Sequence, residues 1–123
     1  MNQDNKTTKA LALLLKLTQE GKLIWTASAA SPDITEGGNN VVKVMYLAEK
    51  DGRTLRLYHY RFRSYTDEDE WHWNDNIALE VSDSEQLSWW KFPGNRVIWD
   101  LHEAVKFKTT KVDEFIDKLF EQQ

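Results

Sequence analysis

The chain has no cysteine, only two prolines and five glycines, and no apolar run long enough to cross a membrane. Without cysteine it can form no disulfide, no thiolate metal site and no cysteine nucleophile. The polar start MNQDNKTTK lacks the basic segment and apolar core of a secretory signal, and the apolar run at residues 10–15 stops at Lys16. We therefore expect a cytoplasmic protein that does not contact a membrane.

Positive charge is also scarce, because 16 Lys and Arg stand against 20 Asp and Glu, for a formal net charge of −4. A general nucleic-acid binder gains much of its affinity by neutralising phosphates, so this balance argues against one, although a local basic strip remains compatible with it. Aromatic residues are plentiful, with six Trp, five Phe and four Tyr. They indicate a folded rather than a disordered chain, and its length is most simply that of one domain spanning residues 1–123.

Five segments are rich in β-forming residues and are separated by turn residues, which predicts five strands. They are residues 22–29, 41–49, 54–65, 71–82 and 87–92. The clearest connection is Asp51-Gly52, which suits a type I′ hairpin turn. Residues 31–40 indicate a turn-rich loop around a Gly-Gly pair, and the Asn-Asp-Asn at residues 74–76 suggests a β-bulge.

Helices are predicted at both ends of the chain. The first covers residues 5–20 and ends at Gly21, where the chain needs a left-handed residue. After Pro93-Gly94, apolar residues follow helical spacing in two stretches, which form either two helices or one bent helix. Their apolar faces contain Val97, Leu101, Ala104 and Val105, and then Val112, Phe115, Ile116, Leu119 and Phe120. We predict an α+β fold: an antiparallel sheet of about five strands in a meander, with an N-terminal helix and one or two C-terminal helices packed on it.

Several segments share a pattern with known proteins. The opening LLKLTQEGKLIW, the middle LRLYHYRFRSYTDEDEWHW with LEVSD after it, the WWKFP and the closing LHEAVKFKTTKVDEFIDKLF resemble small, mostly uncharacterised bacterial proteins. In those proteins a helix ends at Thr-x-x-Gly-Lys, a Trp-bearing strand follows, and the last helices end in a segment like Val-Asp-Glu-Phe-Ile-Asp. The resemblance covers most of the chain and implies a compact α+β domain of a bacterial cytoplasm. Its motifs are structural, so it brings no functional residue with it.

The aromatic and charged hairpin at residues 55–73 is the strongest candidate for a functional surface. Tryptophan residues two apart on a strand share one side of it, and an exposed tryptophan is a strong interface candidate because it buries a large area at low entropic cost. Core packing is the alternative for these rings. Our leading hypothesis is a non-enzymatic protein-interaction module, self-associating or adaptor-like, without a cofactor. Its binding residues are chiefly Tyr58, Tyr60, Arg61, Trp71 and Trp73.

A second hypothesis is a small metal-dependent enzyme that uses His59, His72 and an acid from residues 67–70. The two histidines would come together if their strands pair across the connecting turn, but a metal site needs three or four convergent ligands. The segment that begins at His102 has Glu next to it and lacks the second histidine of the zinc-protease helix. The alternative is that the histidines pack on strands and that the acids form a solvated turn.

A third hypothesis is binding of single-stranded nucleic acid through Arg56, Arg61 and Arg63, since basic groups interleaved with aromatic rings can hold phosphates and stack bases. The alternative is a strand with its arginines in water, neutralised by the acids at residues 67–70. The acidic composition favours this alternative.

Overall fold

Four helices and five strands lie in the part of the chain that the structure, a computed structural model, describes, namely residues 3–35 and 40–122. The helices are α1 (Gln3–Gln19), α2 (Pro32–Thr35), α3 (Arg96–Thr110) and α4 (Val112–Glu121). The strands are β1 (Thr26–Ser28), β2 (Asn40–Lys50), β3 (Arg53–Tyr65), β4 (Trp71–Ser82) and β5 (Trp89–Lys91). The strands form one antiparallel sheet in the order β1-β2-β3-β4-β5, which confirms the predicted α+β fold with a meander sheet.

The β2–β3 hairpin turns at Asp51-Gly52, as the sequence predicts. Both residues have a positive φ, 54° at Asp51 and 78° at Gly52, and Lys50 pairs with Arg53 across the turn. This is the type I′ arrangement, whose twist matches the twist of the flanking strands. Gly52 adopts the left-handed conformation at no steric cost because it has no Cβ atom.

The first strand is shorter than the predicted residues 22–29, because only Thr26–Ser28 pairs with β2. Upstream of it, the amide of Leu23 donates to the carbonyl oxygen of Leu17 at 3.1 Å, so the backbone there completes the end of α1. The alternating apolar pattern has another cause: Leu23 and Trp25 are both buried in the main core. Burial on one side of an extended segment produces the same period of two as strand pairing.

The loop predicted at residues 31–40 contains the short helix α2, and its Gly-Gly pair lies outside the described residues. Pro32 begins this helix, a position at which the missing amide would have no helical partner in any case. The side chain of Ile34 is buried in a small cluster with Met45, Tyr58 and Ala78. This apolar contact, which the turn-like composition of the segment conceals, holds α2 on the sheet.

The β-bulge lies in β2 and not at residues 74–76, where the sequence suggested one. The pairing of β3 with β4 is continuous from Leu55–Val81 to Tyr65–Trp71, whereas the register of β2 against β3 shifts by one residue between Val42 and Met45. The prediction for residues 74–76 was wrong because polar side chains on an exposed strand leave backbone pairing intact. The extra residue in β2 places both Lys43 and Val44 opposite His59.

The two faces of the sheet carry different cores. The face covered by α1 and α3, here called the helix-bearing face, holds the larger one. Its most deeply buried members are Leu11, Leu57, Leu79, Ile98, Leu101 and Val105. The other side of the sheet, here called the opposite face, is covered in part by α2 and carries the small cluster around Ile34.

Arg56 lies on the opposite face and is only 6% exposed. Its Nε donates to Oε1 of Glu80 at 2.6 Å, its Nη1 lies 2.9 Å from Oδ2 of Asp33 in α2, and its guanidinium stacks 3.9 Å from the centre of the Trp89 ring. Burial by itself lowers the pKa of Arg56, but the hydrogen bond and charge of Glu80, with those of Asp33, raise it overall. This fully engaged side chain therefore joins β3, β4, β5 and α2, and it is not free to bind a phosphate.

Helix α4 is separate from α3 and packs very little against the rest of the molecule. The break between them is Lys111, which has the left-handed φ of 59°. None of the residues of α4 is buried, and its large apolar side chains are exposed: Phe115, Ile116, Leu119 and Phe120. Among residues 3–35 and 40–122, no helix is long and apolar enough to cross a membrane.

Candidate functional site

The outer half of the β3–β4 hairpin is uncovered by the helices. On the helix-bearing face, Leu57 and Ile77 are buried, but from Trp71 to Asn76 every residue of β4 is exposed. Two arginines of β3 and two tryptophans of β4 occupy that face, because the register pairs Arg63 with Trp73 and alternate residues share a side. We call this group, Arg61, Arg63, Trp71 and Trp73, the Arg–Trp ladder.

The four side chains of the Arg–Trp ladder stack on one another. The rings of Trp71 and Trp73 meet edge to face with centroids 5.4 Å apart. The guanidinium of Arg63 lies 4.7 Å from the Trp71 ring centre, and that of Arg61 lies 5.2 Å from the Trp73 ring centre. Cation–π contacts of this kind stabilise by about 0.5–1 kcal/mol at exposed sites. They hold the side chains in one arrangement, so a partner has less side-chain freedom to remove on binding.

Tyr58 and Tyr60, which the sequence analysis grouped with the ladder residues, lie on the opposite face. Tyr58 is buried, and its hydroxyl donates to Oε1 of Glu80 at 3.0 Å. Burial and the negative charge of Glu80 both raise the pKa of Tyr58, so the phenol stays protonated. Tyr60 is half-buried, and its hydroxyl accepts a hydrogen bond from Lys91 at 3.4 Å. Of the five predicted binding residues, the structure thus brings Arg61, Trp71 and Trp73 together on the helix-bearing face, and Tyr58 and Tyr60 form a separate ring pair on the opposite face, with centroids 5.8 Å apart.

The acidic turn, residues 67–70, connects β3 to β4 next to the Arg–Trp ladder and is fully exposed. Among the described residues its side-chain hydrogen bonds are local: the amide of Glu68 donates to Oδ1 of Asp67, and the hydroxyl of Thr66 donates to the carbonyl oxygen of Glu70 at 3.5 Å. Within the described residues, neither these carboxylates nor Arg61 and Arg63 form an ion pair. The sequence suggested that the acidic turn neutralises Arg61 and Arg63. Within one chain the turn forms no ion pair with either arginine.

His59 and His72 are not near each other, contrary to the arrangement that the metal-enzyme hypothesis requires. The register places His59 opposite Ile77 on the helix-bearing face and His72 opposite Ser64 on the opposite face. Side chains on opposite faces of a sheet point away from each other, so these two histidines cannot share a metal ion. No group of three or more His, Cys, Asp or Glu within residues 3–35 and 40–122 is placed to hold a metal ion.

His59 instead lies beside His102 of α3, a residue far away in the sequence. Their ring centroids are 6.1 Å apart, and the rings of His102 and Tyr46 meet edge to face with centroids 5.7 Å apart. Nε2 of His59 is 3.2 Å from Oδ2 of Asp75. Nothing in the local sequence around His102 indicated this contact, since it depends on how α3 crosses the sheet.

A pocket of about 240 Å³ opens next to these histidines, between the β2 bulge, β3 and α3. We call it the basic pocket. It is lined by Val41, Lys43, Val44, Tyr46, His59, Arg61, His102 and Lys106. The bulge is responsible for part of this lining, because it turns both Lys43 and Val44 toward the space opposite His59.

His102 is expected to make the protein less stable in mild acid. Burial lowers the pKa of His102 below its usual value of 6.5, and the neighbouring His59 and Lys106 act in the same direction while Glu103 acts against them. The unfolded chain then binds the proton more readily, so the free energy of unfolding falls as the pH drops through 6.5 and levels off below the folded-state pKa. Urea unfolding across this range, compared with His102→Phe, measures the effect. An unchanged pH dependence in the variant would show that another group is responsible.

Comparison of the chain with models of protein families, with curated proteins and with solved structures finds no match.

Proposed function

We propose that this chain is a protein-interaction module that self-associates through the Arg–Trp ladder. The observation that carries the proposal is the exposure of Trp71 (44%) and Trp73 (39%), which lie stacked with two arginines on one uncovered face of the hairpin. Trp and Arg are the residue types most enriched among those that dominate binding energy. A ready-made group of them on a rigid pair of strands is the expected anatomy of the centre of an interface.

Charge complementarity favours a second copy of this chain as the partner. The Arg–Trp ladder carries two cations, and the acidic turn beside it carries four carboxylates, yet they do not pair within one chain. In a two-fold arrangement, each surface patch meets its own copy in the reverse direction. Two hairpins placed face to face and antiparallel would then lay the acidic turn of each on the arginines of the other.

The same surface is less suited to nucleic acid. Of the three arginines in that hypothesis, Arg56 is buried in its ion pairs on the opposite face. The remaining two stand next to four exposed carboxylates, which would repel a phosphate backbone. A protein surface that offers carboxylates and flat apolar groups fits this combination better than a single strand of nucleic acid.

The double variant Trp71→Ala, Trp73→Ala is expected to abolish self-association without unfolding the chain. Hot-spot residues contribute about 2 kcal/mol or more each, so we expect the dimer dissociation constant to rise roughly 100-fold or more. Sedimentation velocity over a range of protein concentrations measures it. Trp90→Ala is the matched control, since Trp90 is equally exposed (46%) but lies on β5, away from the hairpin end.

Three outcomes would contradict the proposal. A wild-type protein that stays monomeric at every concentration would remove self-association, and a double variant that still dimerises would remove the Arg–Trp ladder from the interface. The third outcome concerns α4, whose large apolar side chains are also exposed. If Phe115→Asp dissociates the dimer and the double tryptophan variant does not, α4 is the interface. Binding of single-stranded DNA that weakens steeply with salt would instead support the nucleic-acid hypothesis.

A further inference from the structure

The basic pocket gathers positive charge in a protein that is acidic as a whole. Three cationic side chains line it, those of Lys43, Arg61 and Lys106, together with the imidazoles of His59 and His102. They come from β2, β3 and α3, and no acidic residue is among the described residues that line the pocket. The carboxylate of Asp75, the register partner of Arg61, lies 3.2 Å from Nε2 of His59. Such convergence of like charge is unfavourable for the empty protein and favours an anion in the space between the groups.

The pocket also has an apolar part. Val41, Val44 and Tyr46 contribute to its lining, and both valines are among the exposed large apolar residues of the chain. Tyr46 is buried and packs its ring against the edge of His102. An apolar floor with a few convergent polar groups is the usual construction of a small-molecule site.

We propose that the basic pocket binds a small organic acid, meaning an apolar body that carries one carboxylate or phosphate group. The apolar body would lie on the two valines and Tyr46, and the anionic group would accept hydrogen bonds from Lys43, Arg61 and Lys106. The volume of about 240 Å³ lies just below the usual range for small-molecule sites, roughly 300–1,000 Å³. It therefore suits a ligand of about the size of a single substituted ring.

A bound anion would also act on the half-buried His102 of the pocket. The charges that act on His102 are those of His59, Lys106 and, on its own helix, Glu103; Lys43 and Arg61 line the same pocket, and the carboxylate of Asp75 on β4 lies against His59. A negative ligand beside the ring stabilises its charged form and so raises the pKa of His102. Binding should accordingly be tighter at about pH 6 than at about pH 8, where imidazole is uncharged.

This proposal is independent of self-association through the Arg–Trp ladder, although Arg61 belongs to both surfaces. Substituting Arg61 would change both ligand binding and self-association, so the test replaces lysines of the pocket instead. Lys43 and Lys106 line the pocket from β2 and α3 and take no part in the ladder. Lys118 on α4 is the control lysine, because it lies outside the pocket and on a helix without buried residues.

The experiment is an NMR titration of the full chain with benzoate, phenyl phosphate and the uncharged analogue benzyl alcohol. We expect either acid to shift the signals of Val44 and His102, to raise the pKa of His102, and to bind at least about tenfold more weakly to the double variant Lys43→Gln, Lys106→Gln. The Lys118→Gln control should bind as the wild type does. The more tightly bound of the two acids identifies the anionic group.

Three results would overturn the proposal. Benzyl alcohol binding as tightly as both acids would show that the cations play no part, and the absence of shifts at the pocket with both acids at millimolar concentrations would show that it is not a site. Loss of binding in Lys118→Gln as well would count against it too, since the effect would then be one of general charge. Because Arg61 belongs to both surfaces, sedimentation measures the oligomeric state at the protein concentration of the titration.

Discussion

Replacing Arg56 with methionine is expected to lower the free energy of unfolding by about 3–5 kcal/mol, a large part of the total stability of a domain of this size. The cause is what the substitution leaves behind rather than what it removes. Glu80 would remain largely covered on the opposite face without the guanidinium that now lies 2.6 Å from its carboxylate. An uncompensated carboxylate in a desolvated position is among the few changes that destabilise a protein this strongly.

The same substitution removes two further contacts. The ion pair with Asp33 attaches α2 to the sheet, and the stacked guanidinium covers Trp89. The hydrogen bond from Tyr58 to the same oxygen of Glu80 stays in place but carries no positive charge. Because Asp33 is more than half exposed, its own pair with Arg56 contributes little. Most of the expected loss of stability therefore comes from leaving the carboxylate of Glu80 without its cation.

Urea unfolding followed by tryptophan fluorescence or circular dichroism measures this effect. Arg63→Met is the matched control, since Arg63 lies on the same strand but is exposed and stacks on two tryptophan rings, and the loss of these two contacts should cost no more than about 1–2 kcal/mol. Replacing Glu80 by methionine together with Arg56 should recover part of the loss, because the unpaired charge is removed. Equal losses in Arg56→Met and Arg63→Met would disprove the structural role given to Arg56.

Replacing Leu57 with alanine is expected to cost about 2–5 kcal/mol. Leu57 has no exposed surface, and it lies at the centre of the helix-bearing face between Tyr46 of β2 and Leu79 of β4. The substitution removes apolar contacts and leaves a cavity that the surrounding strands and helices cannot fully close. Thermal and urea unfolding of the variant both measure the loss.

Leu119→Ala tests the same chemical change where the structure predicts almost no effect. Leu119 is 50% exposed on α4, which has no buried residue, so we expect a change within about 0.5 kcal/mol for the monomer. A loss as large as that of Leu57→Ala would mean that α4 is covered in solution, most directly by another copy of the chain. Repeating the measurement at low and high protein concentration distinguishes an exposed α4 from one covered by another copy. Only an interface makes the loss of stability depend on protein concentration.

The sequence by itself determined the parts of this protein that depend on local chemistry. Asp51-Gly52 predicted its hairpin turn because few residue pairs accept two positive φ angles, and Gly21 predicted the end of α1 for the same reason. The period of two placed Trp71 and Trp73 on one side of their strand, which the structure confirms. Alternation and turn chemistry together were enough for the α+β class and the meander.

Only the tertiary structure shows where each strand or helix ends and which element packs on its apolar side. The alternation around Leu23 and Trp25 looked like a longer strand because burial beneath a helix and pairing in a sheet give the same period. Likewise, the periodic face of α4 looked like a packed helix, and only the positions of α1 and α3 show that the core is complete without it. The apolar pattern of an element states which side avoids water, not which neighbour covers that side.

The candidate sites divide in the same way. Residues of one hairpin, such as Arg63 and Trp73, are brought together by register and can be foreseen from the sequence. The meeting of Lys43, His59 and His102 cannot, because it needs a bulge in β2 and the crossing of α3 over the sheet. Both depend on contacts between residues far apart in the chain, whose free energies no local pattern of amino acids encodes.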